Sequence, residues 1–450
     1  MGKLFGTDGI RGIAGQYPID IETGKRLGYF LAGFCKAGGK NTSIITGRDT
    51  RESGEILEKA VTAGILAAGG TVKSAGVIPT PGIAFLVKKV GCGAGVVISA
   101  SHNPFDYNGF KLFSGEGYKF SEAEENEIEN RILDRTALPS IPDIESLTPL
   151  LKSGDDYTAF LKNIVHDPDK LRKFSLVVDC SNGSASGIAP GLFNDLGVNA
   201  DIIFATPDGK NINDDCGSQH TEGLSKRVKK KNADIGLAFD GDADRLIAVD
   251  ENGTTLTGDQ IIAICTKMLH ERNELKNSVV VTTVMSNMGL GAALKEMGIM
   301  HEKTGVGDRL VMEKMREIGS SIGGEDSGHI IFANNHTTGD GILSALQLLN
   351  AMTFFDKSVS NLAGIMKIYP QVLINVRVAT KPEISGVPEI KQAIDAAETS
   401  LGESGRILVR YSGTEPLCRV MAEGKNRAEI EKHAENIADI IKKELNQELH

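Results

Sequence analysis

The segment of this chain best suited to chemistry is Asp240-Gly241-Asp242-Ala243-Asp244, three carboxylates at alternate positions, followed by Arg245. Along a straight strand, at about 3.3 Å per residue, alternate side chains stand about 6.6 Å apart. One Mg²⁺ takes oxygens at about 2.0–2.1 Å and needs its ligands within about 4 Å of one another. The segment must therefore curl, and Gly241 and Ala243 are small enough to let it. As a plain acidic surface loop, the three charges would repel one another. An EF-hand is a rival, because Asp240, Asp242, Asp244 and Glu251 match its first, third, fifth and twelfth positions. Its sixth position needs glycine and here holds Arg245, and the preceding residues read as a strand rather than a helix. Calcium sensing is rejected. A hydrolase with an aspartate nucleophile stays open for this motif taken alone.

A second segment, Ile98-Ser99-Ala100-Ser101-His102-Asn103-Pro104, is followed by Asn108-Gly109-Phe110-Lys111. It lacks a G-x-S-x-G elbow, and Asn-Pro by itself is turn chemistry. A phosphate carrier needs a hydroxyl on a loop with cations nearby, since phosphoserine bears about −1.5 to −2 charge. His102 and Lys111 are the candidate cations. Third, Arg410-Tyr411-Ser412-Gly413-Thr414-Glu415-Pro416, with Arg419, combines hydroxyls, an accessible glycine backbone and two guanidiniums. These are the parts of a phosphate nest, or of an ordinary turn between strands. Fourth, Gly323-Gly324-Glu325-Asp326-Ser327-Gly328-His329 is a polar loop bracketed by glycines and suited to sugar hydroxyls. His329 there is either a satisfied loop histidine or an acid–base group. Gly91-Cys92-Gly93-Ala94-Gly95 lacks dinucleotide spacing, no Walker A lysine occurs, and His301, His329 and His336 lack metal-ligand spacing.

The elements that must position these clusters are short apolar runs, each ending in small polar residues. Ser43–Thr46, Ala94–Ile98, Leu176–Asp179, Ile235–Phe239 and Val279–Val281 are such runs, with helical periods between them. Buried strands alternating with helices predict an α/β fold with ligands at the strand carboxyl ends. The repetition suggests three similar layers in tandem, without a residue-by-residue repeat. Pro139, Pro142 and Pro149 mark a boundary within 137–153, and a helical pattern ends near 356–370. Beyond it the pattern predicts a strand, a helix near 388–401, two strands through Arg406–Arg410 and Arg419–Glu423, and a charged terminal helix. This tail is a small α+β domain. The expected division is 1–150, 151–252, 253–366 and 367–450.

The 450 residues, 40% hydrophobic and 24% charged, supply several cores and do not suit disorder. The net charge of −10 does not suit a nucleic-acid or anionic-membrane partner, so an anionic substrate requires cations gathered locally. Six scattered cysteines without a C-x-x-C pair argue against structural zinc or a disulfide scaffold. With no signal-peptide core and no apolar run of membrane-spanning length, a cytoplasmic protein is expected.

In this order, and together with Phe5-Gly6-Thr7-Asp8-Gly9-Ile10-Arg11-Gly12, the segments resemble the α-D-phosphohexomutase superfamily over nearly the whole chain. The resemblance implies three α/β domains of related fold plus a smaller C-terminal domain around one central cleft. It implies that Ser101 is a phosphoserine and that Asp240, Asp242 and Asp244 hold one Mg²⁺ together with a phosphoserine oxygen. Glu325 and Ser327 would read sugar hydroxyls, and Arg410, Ser412, Gly413, Thr414 and Arg419 would hold the unreacting phosphate. Arg11, His102, Lys111, Arg245 and His329 fall among the cationic or proton-transferring residues near the reacting oxygen. The N-terminal motif, Ser99-Ala100-Ser101 and Val306-Gly307-Asp308-Arg309 look like the phosphoglucosamine mutase branch, which places Asp308 and Arg309 toward substrate. Asp326 stands where that branch commonly carries Gln, and a carboxylate there is expected to favour a 2-ammonium group. The implied reaction exchanges glucosamine 6-phosphate and glucosamine 1-phosphate through a sugar 1,6-bisphosphate. The same chemistry on mannose or glucose phosphates, by a phosphomannomutase/phosphoglucomutase, is the alternative. The partner is a phosphorylated hexose or hexosamine, and a monomer or homodimer is expected.

Overall fold

In the central strands, runs of valine, isoleucine and alanine are buried on both faces, as expected where helices cover a parallel sheet. In chain order the strands are β1 (Ile10–Ile13), β2 (Ser43–Arg48), β3 (Thr71–Val77), β4 (Ala94–Ile98), β5 (Tyr107–Ser114), β6 (Ser175–Asp179), β7 (Asn199–Ile203), β8 (Ile235–Phe239) and β9 (Leu246–Asp250). They continue as β10 (Thr255–Leu256), β11 (Val279–Thr283), β12 (Met300–Thr304), β13 (Ile322–Gly324), β14 (Ile330–Phe332), β15 (Gln371–Arg377), β16 (Gly405–Tyr411) and β17 (Leu417–Gly424). Every residue of β4, β8 and β11 is buried. The computed structural model describes residues 4–134, 137–412 and 416–446.

The strands form four sheets, ordered β1-β5-β4-β2-β3, β10-β9-β8-β6-β7, β12-β11-β13-β14 and β15-β17-β16. The first three repeat one topology. In each, a central strand pairs in parallel with two neighbours: β2 with β3 and β4, β6 with β7 and β8, β11 with β12 and β13. The last parallel strand then turns back into an antiparallel one, β4 into β5, β8 into β9, β13 into β14. Ser101, the aspartate motif and Glu325–His329 occupy these three equivalent turns. The fold is thus three α/β domains of related topology and a smaller α+β domain, which accounts for the repeated rhythm in a chain lacking a residue-level repeat.

Two compact units can be described. One comprises the residues up to Ser286 together with Met297–Ile365, and the other comprises Asn287–Glu296 with the residues from Met366 onward. In the second, all strands pair antiparallel, and the helices Pro388–Leu401 and Arg427–Leu445 share one core with the sheet. The helix Met288–Glu296 belongs there because Asn287 exchanges hydrogen bonds with the Tyr369 backbone, both at 3.0 Å, and the Met288 N–H donates to Glu423 Oε1 at 2.7 Å. No helix among the described residues is long and apolar enough to cross a membrane.

Candidate active site

The aspartate motif curls as its chemistry requires. The Ala243 N–H donates to the Asp240 carbonyl at 3.0 Å, and Ala243 adopts a φ of 55°. The Arg245 N–H donates to Asp240 Oδ1 at 3.1 Å. The carboxylates of Asp240, Asp242 and Asp244 offer oxygens lying within 4.8 Å of one another. All three residues are buried. Asp242 Oδ1 and Asp244 Oδ1 accept no hydrogen bond from any described residue. Burial, then the charges of Asp244 and Asp242, push the Asp240 carboxyl well above the ordinary range. A compact set of hard oxygen donors with unanswered lone pairs and mutual repulsion fits a divalent cation such as Mg²⁺.

Ser101 stands beside this triad. Its Oγ donates to Asp240 Oδ2 at 2.6 Å, and its φ of 54° is uncommon for a non-glycine residue. Such strain persists only where the surroundings over-determine it, and it concentrates at functional sites. The two turns meet closely: a Cβ on Gly241 would lie 2.6 Å from the Ser101 carbonyl oxygen. The third turn joins through Gly328, whose φ is 91°, and whose carbonyl accepts from the Leu246 N–H at 3.0 Å.

Cations alternate with the carboxylates. Lys111 Nζ lies 2.7 Å from Asp242 Oδ2, 3.2 Å from Asp244 Oδ2 and 3.0 Å from Asp8 Oδ2. Burial would lower the Lys111 pKa, but Asp242, Asp244 and Asp8 hold it well above the usual lysine range. Arg11 pairs with Asp8 and donates to Asn103 Oδ1 at 3.3 Å. Arg245 Nε lies 3.8 Å from Asp244 Oδ1. His102 differs from the cation expected of it. Burial first, then Arg245 and Arg11, push its pKa down to about 4, so it stands neutral with Nδ1 3.4 Å from Ser101 Oγ.

On the third turn, His329 Nδ1 lies 3.5 Å from Asp244 Oδ2, and Nε2 lies 3.3 Å from Asp308 Oδ2. The Gly339 N–H points at Nε2 at 3.1 Å, which requires that nitrogen to accept and leaves the proton of a neutral ring on Nδ1. Burial lowers the His329 pKa, but the two carboxylates outweigh it and raise it. Glu325 is half-buried, accepts the Gly307 N–H at 3.0 Å, and is raised by burial and by Asp308. Ser327 Oγ is buried with no partner among the described residues. Asp308 and Arg309, expected to face substrate, are held by protein groups: Asp308 by Lys119 and His329, Arg309 by Glu125. Asp326 likewise serves the scaffold. Its Oδ1 accepts the Asp259 N–H at 3.2 Å, in the first turn of the helix Gly258–Glu271. An acid at a helix N-terminus is stabilised there, so the expected 2-ammonium contact has a structural competitor.

In the smaller unit, Arg410 and Arg419 are direct cross-strand partners on β16 and β17. Burial, then the Arg419 charge, lower the Arg410 pKa. Ser412 is buried, and its carbonyl accepts from Lys381 Nζ at 2.6 Å. Gly413 and Thr414 lie outside the described residues.

Sequence reasoning missed Asp8, Thr80, Lys119 and Lys381. Asp8 and Lys119 extend the charge network, since Lys119 pairs with both Asp8 and Asp308. Thr80 Oγ1 donates to Asp242 Oδ2 at 2.5 Å. Asp8 lies in the N-terminal Phe5–Gly12 motif, but the other three are single residues distant in sequence, with no local signal.

Comparisons with known proteins follow the same order. Residues 2–138, 155–253 and 257–369 match the families described as phosphoglucomutase/phosphomannomutase alpha/beta/alpha domains I, II and III. Residues 373–440 match the C-terminal domain of that set. A phosphoglucosamine mutase of Desulforapulum autotrophicum is 51% identical over 460 residues, covering 98% of this chain and 99% of the relative. One of Syntrophus aciditrophicus is 49% identical over 448 residues, covering 99% and 100%. A crystal structure of a phosphoglucomutase/phosphomannomutase family protein from Burkholderia thailandensis superposes with a TM-score of 0.81 at 24% identity, covering 98% of each chain. Sequence similarity across the whole length, on this architecture, establishes that the chain belongs to the phosphoglucosamine mutase family of the α-D-phosphohexomutases.

Proposed function

We propose that the chain interconverts glucosamine 6-phosphate and glucosamine 1-phosphate through phosphorylated Ser101 and a sugar 1,6-bisphosphate. Asp240, Asp242 and Asp244, together with Ser101, would hold one Mg²⁺, which when bound neutralises charge on the transferring phosphoryl oxygens. The observation that carries this reading is Ser101 Oγ at 2.6 Å from a carboxylate triad with unanswered oxygens.

In the first half-reaction the bond from Ser101 Oγ to phosphorus breaks, and a new bond forms between phosphorus and the free hydroxyl of the sugar monophosphate. The hydroxyl proton passes to a basic side chain, and the released serine oxygen takes up a proton. His329, held between Asp244 and Asp308, and Lys111, held by three carboxylates, would serve as charge partners at the site. Phosphoryl transfer depends chiefly on positioning and charge neutralisation, tasks suited to Lys111, Arg11 and Arg245. His102, neutral beside Ser101, serves as a hydrogen-bond partner to the nucleophile. The bisphosphate then turns over and returns its other phosphate to Ser101. Glu325 and Ser327 would read the sugar hydroxyls, with Asp308 and Arg309 shaping that turn. Arg410, Ser412, Gly413, Thr414 and Arg419 would hold whichever phosphate is not reacting, as paired guanidiniums can.

The test is an assay with Mg²⁺ and a trace of sugar bisphosphate on glucosamine, glucose and mannose phosphates in parallel. Preference for glucosamine phosphate, lost on chelation and restored by Mg²⁺, is the expected result. Preference for glucose or mannose phosphate overturns the substrate. Inorganic phosphate as the main product overturns the mutase in favour of a phosphatase that uses Asp240.

A further inference from the structure

The backbone of Ser101 is gripped from both sides by side chains that have no part in the proposed chemistry. Its N–H donates to Ser99 Oγ at 2.9 Å, and Ser99 Oγ donates in turn to Asp49 Oδ2 at 2.6 Å. Its carbonyl accepts from Arg51 Nη2 at 2.9 Å and from Asn213 Nδ2 at 2.9 Å. The same two donors also reach the Asn103 carbonyl, at 2.8 Å and 2.9 Å, and Arg51 Nη1 donates to the Pro104 carbonyl. Arg51 is fixed by Asp49, with Nε to Oδ2 at 2.9 Å between side chains of zero exposure. Asp49 therefore anchors both ends of the grip, through Ser99 to the amide and through Arg51 to the carbonyl.

This geometry answers the strain at Ser101. A non-glycine residue held at φ 54° is strained and keeps that conformation only when its neighbours enforce it. Charge-assisted hydrogen bonds from a buried guanidinium fork, in fixed geometry, are suited to such enforcement. Asn213 brings the second domain into the grip. A Cβ on Gly241 would lie 2.6 Å from the Ser101 carbonyl oxygen and 2.9 Å from Asn213 Nδ2, so the amide sits where the serine turn meets the metal-site turn.

We propose that Asp49, Arg51, Ser99 and Asn213 form a positioning clamp that sets the backbone of Ser101 and so aims its Oγ at the carboxylate triad. These are positioning residues, since none touches the reacting atoms, and the proposal rests on Ser101 as the phosphoryl carrier. A clamp of this kind acts on the transfer step and leaves recognition of the sugar phosphate alone.

The test compares the wild-type enzyme with Asn213→Asp and Arg51→Lys. Asn213 is half-buried with a φ of 58°, which aspartate tolerates, so the first variant replaces a donor by an acceptor without a new shape. Arg51→Lys keeps the charge beside Asp49 and removes the fork. Each should lower kcat, and the single-turnover rate of transfer from labelled phosphoserine, by about tenfold to a hundredfold, the range for a small misplacement of reacting groups. KM for the sugar phosphate should stay within about twofold. Asn213→Gly, which accepts positive φ at no steric cost, gives the same readout if the aspartate variant is unstable. A folded Asn213 variant with unchanged kcat, or one whose loss lies wholly in KM, overturns the clamp. Wild-type enzyme whose transfer does not depend on Ser101 overturns the phosphoserine reading instead, so the two failures are distinguishable.

Discussion

Around Ser101, carboxylates and cations alternate through buried space: Asp242 and Asp244 against Lys111, Asp8 against Lys111 and Arg11, Asp308 against Lys119. On β16 and β17 two cations are brought side by side, with Arg410 directly opposite Arg419 and both half-buried. The first region fixes direction, since Ser101 is strained, buried and hydrogen-bonded on every polar atom of its backbone and side chain. The second collects charge. A group that reacts needs one orientation, whereas a group that is only held needs a complementary field. The contrast matches the proposed division of labour between reacting and unreacting phosphate.

The largest effect that would sharpen this comparison is at the nucleophile. Ser101→Ala should reduce turnover on the order of 10⁶-fold while sugar phosphate still binds, as loss of a covalent nucleophile does elsewhere. Turnover within tenfold of wild type, measured with coupled product detection, would break the assignment. Next, Asp242→Asn removes one of three donors and should lower kcat by roughly 10²–10³-fold. Calorimetric titration with Mg²⁺ should show weakened binding, and unchanged affinity would place the cation elsewhere. In the second region, Arg410→Ala should act on KM. A rise of roughly tenfold to a hundredfold, corresponding to about 1.5–3 kcal/mol for hydrogen bonds to a charged group, is expected with kcat nearly unchanged. A fall in kcat at constant KM would erase the distinction between the regions.

The smallest effect concerns the scaffold of the buried centre. Asp340 caps the helix Gly341–Phe355, accepts Tyr157 Oη at 2.8 Å, and is pushed by burial up to about 7. Because its folded pKa is raised, the stability it contributes is full below the unfolded value of about 3.9 and is lost as pH rises through about 7. Asp340→Asn should flatten the thermal midpoint between about pH 4 and 8. A slope that persists would assign it to another group.

Legibility followed locality. The aspartate motif could be read because its three carboxylates are neighbours, and the requirement for a curl followed from the distances that one cation would impose. The strand at Ile235–Phe239 and the helix near 388–401 could be read from their apolar periods. Thr80, Lys119, Arg51 and Asn213 could not be recognised, because each is an ordinary residue whose meaning comes from a partner far along the chain. His102 shows the other limit: residue type suggested a cation, but burial beside Arg245 and Arg11 leaves it neutral. Asp326 shows a third, since a carboxylate in a polar loop became the partner of a helix terminus.

The sequence by itself determined the α/β rhythm, the donor types and the turns that carry them, since these depend on short-range sterics, periodicity and residue chemistry. Only the tertiary structure decided that the Ser101, Asp240–Asp244 and His329 turns meet, and what charge their side chains carry there. That decision belongs to packing, because burial and the nearest opposite charge come from residues that the chain keeps a hundred or more positions apart.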